Sequence, residues 1–88
     1  MTNISCVYLV VMYDNCGDAY NDVAFITKED AIEYAYQQIK NEERLKEWYF
    51  EEELEDISYQ QYVKNMLEEE GYIDELVQID RVDVVDIN

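Results

Sequence analysis

The segment ISCVYLVVMY (residues 4–13) is an almost unbroken apolar run, rich in β-branched and aromatic side chains, and it predicts a buried strand. Residues 14–21, DNCGDAYN, form a polar loop centred on Gly17, and DVAFIT (22–27) reads as the returning strand of a long-looped hairpin. The period then changes. Ala31, Ile32, Ala35, Tyr36 and Ile39 recur at helical spacing and predict a first helix over about 28–41. Thr27 is its N-cap, Asp30 completes a Thr-x-x-Asp box, and Glu29 and Asp30 suit the positive end of the helix dipole.

A second helical segment carries Leu45, Trp48 and Tyr49, then Phe50, Leu54 and Ile57. The two sets point to slightly different faces, which predicts a bend or a broad apolar face. Leu45 and Trp48 share one face, so Trp48 is expected in the core. Ser58 and Gln61 form a second capping box, after which Tyr59, Tyr62, Val63, Met66 and Leu67 fit a helix that ends at a C-cap glycine, Gly71. In the tail Val77 and Ile79, then Val82 and Val84, then Val85 and Ile87 alternate, but the phase slips twice; a strand with a bulge or a preceding turn is expected. The order is β-β-α-α-α-β. The economical architecture is an α+β domain spanning 1–88, with a small antiparallel sheet covered by three helices on one face and the last strand beside the first.

Composition sharpens this picture. With 49% hydrophobic and 14% aromatic residues among 88, the chain is too apolar for a charge-extended disordered tail and is expected to fold. Yet 22 Asp and Glu face 6 Lys and Arg, a net charge of -16. Such a field repels phosphate backbones and anionic lipid surfaces, so neither nucleic acid nor membrane is an expected direct partner; it attracts basic surfaces. The N-terminal apolar run is too short to span a bilayer and follows no basic leader. Cytoplasmic residence is therefore expected, with Cys6 and Cys16 as free thiols and Cys6 as a small core residue.

The chemistry excluded is broad. There is no histidine, and two isolated glycines make no phosphate loop. The cysteine spacing matches no zinc site. The loop oxygens of Asp14, Asn15, Asp18, Asn21 and Asp22 do not follow the EF-hand pattern and read instead as turn chemistry. No catalytic residue, cofactor or metal is expected, and the chain is not read as an enzyme.

The charge is also uneven. Residues 28–46 carry a net of -1, whereas 47–80 carry twelve carboxylates against Lys64 alone, a net of -11. A twelve-residue helix is about 18 Å long, and duplex DNA carries about eleven phosphates over that length. The expected partner-binding residues are Glu47, Glu51, Glu52, Glu53, Glu55, Asp56, Glu68, Glu69, Glu70, Asp74 and Glu75, with Tyr59 and Tyr72 as apolar anchors.

The small size, the acidity, the absence of His and Pro, and the clusters EEELED (51–56) and EEEGYIDE (68–75) together resemble the phage- and plasmid-encoded DNA-mimic inhibitors. That group comprises anti-CRISPR, anti-restriction and uracil-DNA-glycosylase inhibitor proteins. The first half, VYLVVMYDNCGDAYNDVAFITKEDAIEYAYQQI, is similar to short phage proteins with a hairpin followed by a capped helix. The resemblance implies a stoichiometric inhibitor, monomeric or homodimeric, acting in the host bacterial cytoplasm on a basic nucleic-acid-binding enzyme. The alternative is an acidic interaction domain that binds a basic partner away from its nucleic-acid site.

Overall fold

The computed structural model describes residues 2–14, 16–52 and 56–87. Its elements are β1 (Thr2–Tyr13), β2 (Ala19–Phe25), α1 (Lys28–Ile39), α2 (Glu43–Glu51), α3 (Tyr59–Glu70), β3 (Tyr72–Ile73) and β4 (Val77–Ile87). The strands form one antiparallel sheet in the order β2-β1-β4-β3. The α+β class and the placement of the last strand beside the first are as expected, but the sheet has four strands rather than three. The extra strand, β3, is two residues long, too short to show any periodicity in sequence.

Local chemistry sets the boundaries. In the β1–β2 loop the Asp14 carboxylate accepts from the backbone N–H of Cys16 at 2.9 Å and of Asp18 at 3.0 Å, while Gly17 takes a φ of 82°. Asp14 thus serves as a turn residue, and Asn15 lies outside the described residues. Thr27 Oγ1 accepts from Asp30 N at 3.2 Å, and Ser58 Oγ accepts from Gln61 N at 3.1 Å, so both anticipated caps form. Gly71 closes α3 in the left-handed region at φ 79°, donating to Leu67 O. Its own carbonyl accepts from Ile79 N at 2.7 Å, which ties the end of α3 to β4.

The phase slips in the tail have a different cause from a bulge. The pairing of β1 with β4 runs unbroken from Thr2↔Ile87 to Met12↔Val77. Instead, the apolar side changes: Val77 and Ile79 lie on the helix-covered face, whereas Val82 and Val84 lie on the opposite, uncovered face and are exposed. A turn at 74–76 does precede the strand, with Glu75 at φ 64°. Among the described residues the strand register shifts between Met12 and Tyr13, where β1 meets β2.

The core lies between the sheet and the helices. Val10, Met12 and Val77 supply the sheet side; α1 gives Ala31, Ile32, Ala35, Tyr36 and Ile39; α3 gives Tyr62, Val63 and Leu67; α2 gives Leu45 alone. Ile73 and Leu76 close the end by β3. Cys6 and Cys16 are unbonded; Cys16 is exposed, and Cys6 is half-buried rather than in the core, because it sits on β1 beyond the helix layer.

Candidate partner-binding surface

The acidic surface is organised by a cluster of tyrosines. Leu45 and Tyr49 lie four residues apart and form the inward stripe of α2. The Tyr49 ring packs at 5.7 Å from Tyr59 and 5.6 Å from Tyr62, centroid to centroid, and its hydroxyl donates to Ile57 O at 2.7 Å. Tyr59 in turn meets Tyr36 and donates to Lys40 O at 2.9 Å. Tyr62 donates to a Glu52 carboxylate oxygen at 3.3 Å. Burial, followed by Glu52, raises the Tyr62 hydroxyl above its ordinary range; burial, followed by Tyr36 and Glu42, does the same to Tyr59.

This arrangement corrects two expectations. Tyr59 is a half-buried strut whose hydroxyl is used internally, so it is not an exposed anchor. Trp48 is not core: it is 37% exposed. Each residue advances a helix by about 100°, so Trp48 falls about 80° to one side of the Leu45–Tyr49 stripe. Phe50 falls on the other side of that stripe and is 72% exposed. The second helix also stops at Glu51, short of Ile57, which packs against the core from the connection to α3; Leu54 lies outside the described residues.

The carboxylates form two groups rather than one. Glu47, Glu51, Glu52 and Asp56 are exposed around the end of α2 and the approach to α3, together with Trp48 and Phe50. Glu68, Glu69 and Glu70 are exposed at the far end of α3, followed by Asp74 and Glu75. α3 is about 18 Å long and carries Glu68, Glu69 and Glu70 in its last turn, away from the first group at its start. Glu53 and Glu55 lie outside the described residues. Tyr72, 47% exposed, belongs to the second group and lines a shallow cleft of about 270 Å³ with Tyr13, Gly17, Asp74 and Glu75.

Three of the nearby cations, Lys64, Arg44 and Lys28, make contacts within the chain, whereas Lys46 of α2 is exposed beside Glu47. Lys64 pairs with Glu33 of α1 and stands 5.7 Å from the Tyr36 ring centroid. Lys64, with Gln37, holds the Glu33 carboxyl below its ordinary range. Arg44 contacts Glu42 at 3.4 Å and Glu75 at 3.2 Å, so Glu75 is a partly neutralised member of its group. Lys28 donates to the backbone carbonyl of Glu68 at 3.2 Å. Lys64 therefore bridges α3 to α1 instead of diluting the outer charge.

Charge of one sign on such a surface attracts cationic groups, and the exposed rings of Trp48, Phe50 and Tyr72 offer apolar contact beside it. Trp48 was expected in the core, yet it is exposed together with Phe50. Their signal lay in the spacing of Leu45 and Tyr49, which leaves an adjacent aromatic on either side of the buried stripe. Among the described residues, no group of three or more Cys, Asp or Glu is arranged to hold a metal ion, and no helix is long and apolar enough to cross a membrane. No family model, curated protein or solved structure matches the chain.

Proposed function

We propose that the protein is a stoichiometric inhibitor that mimics nucleic acid, occupying the basic DNA- or RNA-binding channel of a bacterial defence or DNA-processing enzyme, such as a CRISPR nuclease. It performs no reaction of its own. The observation that carries this reading is the pairing of exposed carboxylates along α2 and α3 with the inward use of Lys64, the one cation of residues 47–80. A basic channel evolved for phosphates meets successive negative charges on a rigid helical frame, and opposite charge accelerates encounter. Trp48 and Phe50 add apolar contact on either flank of one acidic group.

The test is competition. Bacterial proteins retained by the immobilised chain are eluted and titrated with the protein in the presence of labelled DNA or RNA. The mimic displaces the nucleic acid in a one-to-one manner, and Glu68, Glu69 and Glu70 reversed together to Lys slow association. The proposal is overturned if the partner holds the protein and its nucleic acid together with unchanged affinities; the protein is then an acidic interaction domain that docks elsewhere on a basic partner.

A further inference from the structure

The sheet contains a segment that is paired on one side only. β2 reaches along β1 from Tyr13 to Tyr8, where its last residue, Phe25, is opposite. Beyond that point Thr2–Val7 pair with Val82–Ile87 of β4 and, among the described residues, with no other strand. The result is a two-stranded ribbon projecting past the helix layer. The molecule measures 53 × 32 × 17 Å with a radius of gyration of 14.9 Å. A compact domain of this length has a radius of about 12 Å. A two-stranded ribbon is marginal by itself in water, and its open edge is a template for a further strand.

The edge lacks the usual protection. Thr2–Val7 (TNISCV) contains no charged residue, no proline and no bulge, in a chain with 32% charged residues. The other open edges differ: β2 carries Asp22, and β4 beyond Ile79 carries Asp80, Arg81, Asp83 and Asp86. Apolar groups gather beside the uncharged edge. Val82 and Val84 are exposed on the uncovered face, and Ile26, 83% exposed, stands where the chain leaves β2.

We infer that the protein forms a homodimer in which Thr2–Val7 of two copies pair antiparallel about a two-fold axis, joining the two sheets edge to edge. The occupant is a second copy because of the charge pattern. At net -16, two copies repel almost everywhere they touch, and like charges placed opposite each other across a strand pair are destabilising. Thr2–Val7 paired with itself brings no side-chain charge against its like, whereas a self-paired β2 edge would bring Asp22 toward its like and the β4 edge carries three Asp against Arg81 alone. A two-fold antiparallel pairing is self-complementary and closed, so it stops at two copies. It also fills the lane that β2 vacates.

Sedimentation velocity over a roughly hundredfold range of protein concentration tests this by mass action. A monomer–dimer equilibrium is expected. It strengthens as salt is raised, because screening relieves the mutual repulsion, while contact with a basic partner weakens under the same change. Ser5→Asp places two negative charges near the axis and shifts the midpoint at least tenfold toward monomer, while Asp22→Asn on the β2 edge leaves it in place. Hydrogen exchange on the unaltered protein is independent of whether a variant folds: amides of Thr2–Val7 exchange more slowly in concentrated than in dilute solution. A species that is monomeric at every concentration and salt, or Thr2–Val7 amides indifferent to concentration, overturns the inference.

Discussion

α1 and α2 follow each other with only residues 40–42 between them, yet they are built to opposite specifications. α1 is twelve residues long, opens on the Thr27 cap and buries five side chains against three strands. α2 is nine residues long, has Glu42 at its N-cap position with no side-chain cap bond, and buries only Leu45. An isolated helix of that length is marginal, so α2 depends on Tyr49 and its contacts with α3. The difference separates a helix that carries the core from one that leaves its largest side chains outside it. α1 holds the sheet, and α2 spends its large aromatic surface outward, on Trp48 and Phe50.

That contrast is broken most directly by truncating one buried and one exposed side chain. Ile39→Ala in α1, a residue only 4% exposed, should cost 2–5 kcal/mol, roughly what core Ile-to-Ala changes cost. Phe50→Ala in α2 should stay within about 0.5 kcal/mol, as exposed positions do. Urea denaturation with a constant m-value measures both. A Phe50→Ala loss as large as that of Ile39→Ala would mean that α2 is a core element.

The caps give the next effect. Thr27→Ala should cost about 0.5–2 kcal/mol, and Ser58→Ala a similar amount at α3. Glu42→Ser should move stability the other way by supplying the cap that α2 lacks, less the contact of Glu42 with Arg44. Thermal melts of the three variants sharpen the comparison, and an unchanged Thr27→Ala midpoint would remove the asymmetry between the helices.

Tyr49→Phe is a smaller change that acts on α2 alone. Losing the hydroxyl bond to Ile57 O should cost about 0.5–1.5 kcal/mol and speed tryptic cleavage after Arg44 or Lys46. Cleavage at the wild-type rate would show that another contact secures the helix.

The smallest effects are those of pH. Tyr59 and Tyr62 have raised hydroxyl pKa values, so the folded state keeps their protons longer than the unfolded chain. Their contribution is fully present below about pH 10, the unfolded tyrosine value, and is lost as pH rises through the folded values. Glu33 has a lowered pKa, so its contribution is present above the unfolded carboxyl value and is lost as pH falls through the folded one. Because Glu33 is solvent-exposed, the acid effect should be slight. Tyr62→Phe, which also loses the hydroxyl bond to Glu52, should gain in melting temperature relative to wild type as the solution is taken from neutral into alkali.

These features were unequally legible in sequence. Thr27, Ser58 and Gly71 declare helix ends through chemistry confined to three or four residues, so they can be read without knowing the fold. The long apolar run of β1 likewise required neighbours on both sides. The position of Trp48 was ambiguous, because Leu45 shares a helical face with both Trp48 and Tyr49 and only the packing of α2 against α3 selects Tyr49. The end of α2 at Glu51 has no proline or glycine to mark it. β4 misled because one strand serves two environments: its first half lies beneath helices and its second half lies beyond them. The acidic segment was legible as a sum but not as a shape, since α3 divides it into two groups and Arg44 withdraws part of one.

The pairing of Thr2 with Ile87 has a consequence for how the protein is made. The three helices draw on neighbouring residues and are able to form while the chain is still emerging from the ribosome. The β1–β4 ladder joins segments about as far apart in sequence as the chain allows, and such non-local contacts form slowly because the intervening chain must first be closed into a loop. β1 therefore waits, apolar and half-paired with β2, until β4 has been synthesised. During that interval the high negative charge keeps nascent copies apart, so the acidity protects the sheet through its most aggregation-prone moment.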